Sequence, residues 1–250
     1  MSVRDLTGTT AVVTGASRGF GRATAIALAE LGAHVVGVAR NEELLDQLVT
    51  QLGDRFTPEV ADAADPSVPA RLIPLYRPQT LVLNAGAAPA PAPLSKQTWE
   101  SFSTNWNTDV QHVFNFTRLA LTAPLAPGSV VISLSSGAAL NGSPMSGGYA
   151  GAKATVRFLS AYAELEARQN GSNIRFVAVL PTLTPDTDLG RLYTGIYAGQ
   201  SGLSEEKFLE RFGGALTADH AGRTIGALAT DSSYTAPAYG LTVDGLKPVD

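Results

Sequence analysis

Eight residues near the N-terminus, Thr14 to Gly21, read Thr-Gly-Ala-Ser-Arg-Gly-Phe-Gly and constrain the rest of the chain most. They follow Thr10-Ala11-Val12-Val13, an apolar run with the length and branching of a buried strand. They open into Arg22 to Leu31, where Ala23, Ile26, Ala27 and Leu31 recur at helical spacing before Gly32. A strand, a tight glycine turn and a helix in that order make an anion site. Glycine lets backbone N–H groups close on a phosphate, and the helix N-terminus adds partial positive charge. The ligand this predicts is a dinucleotide pyrophosphate.

The pattern alternates from there on. Ala33 to Ala39 is a second strand ending at Arg40, and Asn41 caps a helix with Leu44, Leu45, Leu48 and Leu52 on its buried face. Phe56 to Ala61 forms a third strand before Asp62, Pro66 to Leu75 a short proline-interrupted helix at best, and Thr80 to Leu83 a fourth strand closed by Asn84-Ala85-Gly86. After the proline-rich loop Ala87 to Pro93, a long helix is expected from Gln97 to Leu121, with Phe102, Trp106, Val110, Val113 and Phe114 as its apolar stripe. Ser129 to Leu134, helix Tyr149 to Gln169 and strand Ile174 to Leu180 follow. Pro181 to Gly214 reads as irregular, with one short helix from Glu205 to Phe212; a helix from Thr217 to Ala229 and a strand from Gly240 to Val243 end the chain. Such alternation implies an α/β doubly wound parallel sheet with helices on both faces.

With 250 residues and 44% hydrophobic content, one domain over 1–250 is expected, with a substrate lid at 182–214. Net charge is −4 without a basic run, which argues against nucleic acid and anionic membrane as partners. The chain has no cysteine, so thiol chemistry is excluded. Met1 to Asp5 lacks the apolar segment of a signal peptide and no stretch reads as a membrane span, so the expectation is a soluble, cytoplasmic protein. His34, His112 and His220 stand outside metal-ligand spacing of one another and read as structural; no metal is expected.

In a parallel doubly wound sheet, ligands sit at the carboxyl ends of the strands. Gly15, Arg40, Asp62, Asn84, Ser136 and Pro181 all fall at such ends and should converge on one crevice. Tyr149 and Lys153, four apart at a helix start, share a face. A free tyrosine, with a pKa of about 10, is too weak an acid to act as phenolate at neutral pH, and a nearby cation favours that form. Ser136, thirteen residues before Tyr149, can donate to a carbonyl oxygen.

Thr14-Gly15-x-x-x-Gly19-x-Gly21, Asp62, Asn84-Ala85-Gly86, Ser136 and Tyr149-x-x-x-Lys153, in this order and spacing, resemble the short-chain dehydrogenase/reductase family over nearly the whole chain. The resemblance implies a Rossmann-like sheet of about seven parallel strands and hydride transfer between a nicotinamide and a carbonyl or secondary alcohol. It implies Tyr149 as general acid/base, Lys153 as the cation that activates it and bonds the nicotinamide ribose, and Ser136 as the group orienting the substrate oxygen. Gly15, Ser17, Arg18, Gly19, Phe20, Gly21, Arg40, Asp62, Asn84, Ala85, Gly86, Tyr149, Lys153, Pro181 and Thr182 would hold the cofactor. The same likeness implies a homo-oligomer, a tetramer, and the exposed-looking aromatics Phe102, Trp106, Phe114 and Phe116 of the long helix fit that expectation. Two other classes of the same fold use a dinucleotide: an NADP(H)-binding sensor without turnover, and an extended-type isomerase or dehydratase.

The chain departs from the family at three places: Pro181-Thr182 where Pro-Gly is usual, Asp244-Gly245-Leu246 where Asp-Gly-Gly is usual, and Asp109 where the long helix has an asparagine that serves a proton relay. Counting back five from Phe114 gives Asp109, with Asn107 and Asn105 as near misses. A carboxylate there would favour the Lys153 ammonium and counter its pull on the phenol. The second strand ends in Ala39-Arg40 instead of an acid, and Arg18 sits within the glycine turn, so two guanidinium groups can clamp a 2′-phosphate and the expected cofactor is NADP(H). Tyr193, Tyr197, Leu203 and Phe208, with Leu140 and Met145, suggest a pocket for a medium-sized apolar ketone.

Overall fold

A computed structural model describes residues 5–123 and 125–249; Met1–Arg4, the bulk of the stretch read for a signal peptide, lies outside them. Among the described residues the strands are β1 (Thr10–Thr14), β2 (His34–Ala39), β3 (Phe56–Val60), β4 (Thr80–Leu83), β5 (Val130–Leu134), β6 (Arg175–Pro181), β7 (Ala238–Thr242) and β8 (Gly245–Pro248). The α-helices are α1 (Gly19–Glu30), α2 (Glu42–Leu52), α3 (Ser67–Tyr76), α4 (Trp99–Asn105), α5 (Gln111–Thr122), α6 (Ala138–Asn141), α7 (Tyr149–Asn170), α8 (Asp188–Gln200), α9 (Glu205–Leu209) and α10 (Ala218–Thr230). One sheet runs in the order β3-β2-β1-β4-β5-β6-β7-β8. Every pairing from β3 through to β7 is parallel, and β1 is the centre from which the chain winds outward both ways.

Two apolar layers hold the sheet. Neighbouring strand residues point to opposite faces, so Val13 and Val35 join Leu28, Leu45 and Ile225 on one side. Val12 and Val36 join Leu72, Val113 and Phe116 on the other. This double burial explains why the strands read as unbroken apolar runs. It also leaves the carboxyl ends of β1, β2, β4, β5 and β6 aligned along one rim.

Four expectations change. First, the seven expected parallel strands are joined, among the described residues, by an eighth that is antiparallel: Thr242 pairs with Gly245 across a tight turn that Gly245 closes at φ +100°. Second, α8 is a thirteen-residue helix inside the span read as irregular. Its glycines Gly190, Gly195 and Gly199 hid it, although Thr187 caps it by accepting from the Gly190 amide at 3.1 Å. A Cβ at Gly190 would sit 1.8 Å from the Thr184 carbonyl oxygen, so this glycine marks close packing and not a helix stop. Third, the long helix begins at Trp99 and is broken into α4 and α5 by a π-helical turn, Trp106–Val110. Fourth, the loop after Ser136 carries the single turn α6. No helix among the described residues is long and apolar enough to cross a membrane.

Candidate active site

The rim holds one cavity of about 800 Å3, within the range of small-molecule sites. At its floor the glycine turn joins β1 to α1. Gly15 and Gly19 have φ of +66° and +54°, which side chains with a Cβ rarely adopt. The first turn of α1 carries no acidic residue, and the Arg18 side chain at its N-cap does not cap the helix amides. Its leading amides are thus free for an anion. Gly21 is not on the cavity wall but beneath it, where a Cβ would lie 2.1 Å from the Gly15 carbonyl oxygen. Asn84 ties the turn to β4, its Nδ2 donating to the Thr14 carbonyl at 3.1 Å and the Gly15 carbonyl at 3.3 Å.

Ser136, Tyr149 and Lys153 line the same cavity as Ser17, Phe20, Ala85 and Gly86. Ser136 Oγ accepts from the Ala138 amide at 3.2 Å, and its proton has no acceptor among the described residues. The Tyr149 hydroxyl likewise has no partner there. Lys153 lies one turn on, its Nζ 5.6 Å from the Tyr149 ring centre. It is buried, donates to the Leu134 carbonyl at 2.9 Å and pairs with Asp109 Oδ2 at 3.0 Å. An ammonium has three protons, so one remains for a ligand. Burial alone would depress the lysine, but the charges of Asp109 and Tyr149 outweigh it and hold its pKa above the usual value.

Of the two candidates in the long helix, Asp109 is buried against Lys153, whereas Asn107 is exposed and, among the described residues, reaches Ser103 Oγ at 3.5 Å. Asn105, counted as a near miss, belongs to the cluster. Its Nδ2 donates to the Ala87 carbonyl at 2.7 Å and to Asp109 Oδ1 at 3.3 Å, and that same Asp109 Oδ1 accepts the Ala87 amide at 2.9 Å. Asn105 and Asp109 therefore clamp both polar groups of Ala87, just past the Asn84-Ala85-Gly86 turn. Gly86 makes room: a Cβ there would stand 2.8 Å from Asp109 Oδ2. An asparagine and an aspartate four apart, each beside apolar residues, was the signal available in the sequence.

His112 also supports this turn. Thr14 Oγ1 accepts the amides of Asn84 and Ala85 at 2.9 and 3.2 Å and lies 3.0 Å from His112 Nε2. With both lone pairs occupied, the hydroxyl gives its proton to the Val82 carbonyl at 3.3 Å or to Nε2 of a neutral imidazole. Full burial pushes the His112 pKa down to about 4 from 6.5. The unfolded chain then binds a proton that the folded chain refuses, so stability falls as pH drops from about 6.5 towards 4. The expected loss from this residue is about 3 kcal/mol. Urea denaturation at pH 7 and pH 4 measures it: His112→Gln should lose that much less than the unaltered protein, and equal losses would refute the assignment.

Arg18 and Arg40 are both exposed at the cavity edge, with no carboxylate at Ala39. Arg18 Nη1 contacts Asp188 Oδ2 at 3.2 Å. Asp62 lies on the wall and accepts the Ala64 amide at 3.0 Å. Pro181 accepts the Gly137 amide at 2.9 Å, and Thr182 stands beside it with a buried hydroxyl that has no partner among the described residues. The opposite wall is aromatic: Tyr193, Tyr197, Phe208 and Phe212. Tyr193 donates to the Pro89 carbonyl at 3.2 Å, and the Tyr197 hydroxyl meets Ser143 Oγ at 2.6 Å and the Met145 amide at 3.2 Å. Leu140, Met145 and Leu203, expected in this wall, do not line it.

These residues fit a dinucleotide, with uncapped amides at the glycine turn and a spare lysine proton farther along one continuous cavity. Comparison with known proteins agrees. The family model described as short chain dehydrogenase matches residues 9–194. L-xylulose reductase from Mesocricetus auratus is 31% identical over 188 residues, 74% of this chain and 75% of that protein. Serine 3-dehydrogenase from Agrobacterium fabrum is 30% identical over 193 residues, 74% and 76% of the two chains. Among solved structures, a 3-ketoacyl-(acyl-carrier-protein) reductase from Brucella melitensis complexed with NADH superposes with a TM-score of 0.77 at 24% identity, covering 95% of this chain and 97% of the other.

Proposed function

The chain belongs to the short chain dehydrogenase family, and we propose that it is an NADP(H)-dependent reductase of medium-sized apolar ketones, or the reverse alcohol dehydrogenase. One observation carries this reading: the free hydroxyls of Ser136 and Tyr149 and the spare proton of Lys153 share a cavity with the glycine turn. When bound, a nicotinamide supplies or accepts the hydride at the substrate carbon. Tyr149 gives its phenolic proton to the carbonyl oxygen in reduction and takes it back in oxidation. Ser136 donates to the same oxygen and fixes its direction. Lys153 bonds the ribose with its third proton and steadies charge on the phenol, and the residues 182–214 act as a lid.

The substrate class follows from the aromatic wall. L-xylulose is a polyhydroxy ketone and serine a zwitterion, and the latter would call for charged groups opposite Ser136. Charged residues on the cavity wall belong to the glycine turn, the strand ends, the Lys153 pair and the stretch Asp186–Asp188, and Tyr193, Tyr197, Phe208 and Phe212 offer an apolar face instead. NADPH consumption with a panel of aryl and alkyl ketones tests the activity. Cofactor binding without oxidation of NADPH by any of them would favour a sensor.

Cofactor choice rests on Arg18, Arg40 and the missing acid at Ala39. The kcat/KM with NADPH should exceed that with NADH by at least tenfold, the value of one charge-assisted contact of about 1.5 kcal/mol. Equal or better efficiency with NADH would sink the reading.

Assembly is the third part of the proposal. Phe116 turns into the core, but Trp99, Trp106 and Phe114 are exposed, and α7 adds Phe158, Tyr162 and Leu165 beside them. An apolar face of that breadth is one that a second copy covers. Light scattering at micromolar concentration should give a tetramer's mass; a monomer's mass would contradict it.

A further inference from the structure

Arg18 has two claims on it. Under the NADP(H) reading, on which this inference rests, its guanidinium holds the 2′-phosphate together with Arg40. In the structure it is held instead by Asp188, at 3.2 Å. The approach is built into the backbone and does not depend on one rotamer alone. A Cβ at Gly19 would lie 3.6 Å from the Thr187 methyl group, so the start of α8 stands directly over the glycine turn. Asp188 occupies the first turn of α8, where the helix N-terminus favours a carboxylate. Its other oxygen faces Arg191 at 4.0 Å. Asp188 and Arg18 both line the cavity.

We infer that Asp188 is a determinant of cofactor choice that acts by competing with the 2′-phosphate for Arg18. Engaging the phosphate withdraws Arg18 from α8, and holding α8 withdraws Arg18 from the phosphate; the two equilibria are linked and reciprocal. A cofactor lacking the 2′-phosphate leaves the Arg18–Asp188 contact intact, so the segment over the site is held more firmly with NAD(H) than with NADP(H). The pair is largely exposed, with side-chain accessibilities of 72% and 71%, and such pairs are weak. The expected effect is therefore modest, about two- to fivefold in affinity.

Adenosine 2′,5′-bisphosphate and adenosine 5′-monophosphate differ only in the group that matters, and calorimetry at low salt reads their binding without turnover. Asp188→Asn keeps the size of the side chain and removes its charge. It should tighten the bisphosphate two- to fivefold and leave the monophosphate unchanged, and in an Arg18→Ala background it should do nothing. Tightening of both ligands alike, or an effect that survives Arg18→Ala, overturns the competition. If the unaltered protein prefers the bisphosphate but Asp188→Asn changes nothing, the competition alone fails. If neither protein prefers the bisphosphate, the NADP(H) reading fails and the competition with it.

Discussion

Tyr149→Phe is expected to retain NADPH binding and to lose turnover by roughly 10²-fold or more. The substitution removes one oxygen from a side chain whose hydroxyl has no protein partner among the described residues, so folding and the neighbouring Lys153 pair should be undisturbed. What disappears, under the proposed mechanism, is the group that gives a proton to the developing alkoxide. Ser136 and bulk water remain, and neither combines a suitable acidity with that position. Steady-state kinetics beside NADPH fluorescence titration separates the two effects. A Tyr149→Phe protein with near-normal kcat and intact binding would mean that the proton comes from elsewhere.

Lys153→Met is expected to have the largest effect on stability. Lys153 and Asp109 are 3.0 Å apart, with side-chain accessibilities of 8% and 1%. Removing one partner of such a pair leaves a buried charge uncompensated and costs about 3–5 kcal/mol. Asp109→Asn in the same chain removes the stranded charge, so the double variant should recover most of the loss while still binding NADPH poorly. Urea denaturation of both variants checks this; a double variant no more stable than Lys153→Met would show that the charge was not the cause. On turnover, Asp109→Ala should be more damaging than Asn107→Ala, because Asp109 pairs with Lys153 whereas Asn107 is exposed and meets Ser103. The opposite order would assign the proton relay to Asn107.

The parallel sheet was legible because each strand is buried on both faces and therefore reads as a short apolar run bounded by turn residues. The glycine turn, Asn84, Ser136, Tyr149 and Lys153 could be placed because strand ends in such a sheet converge on one rim, whatever their separation in sequence. The helix α8 was hidden by its three glycines, since propensity registers a glycine as a break while Gly190 is dictated by the Thr184 carbonyl in the loop that leads into the helix. Asn105 was passed over for a related reason. Ideal helical counting gives each residue a 100° step, and the turn 106–110 does not keep that step. The partnership of Arg18 with Asp188 joins residues 170 positions apart and leaves no local pattern at all.

That π-helical turn bears on which changes in chain length this family member can accept. A π turn holds one residue more than an α turn, and an inserted residue is the simplest way to form one. Deleting one residue between Trp106 and Val110 would let α4 and α5 run together as a single regular helix, a change the apolar packing on either side could absorb. The polar side chains would fare differently: with one residue fewer between them, Asn105 and Asp109 would lose the spacing that sets both on Ala87, and the grip would open. Under the proposed mechanism, length at this point is therefore tied to catalysis more tightly than to folding. Shortened relatives that keep the fold should be found among proteins that have given up the reaction.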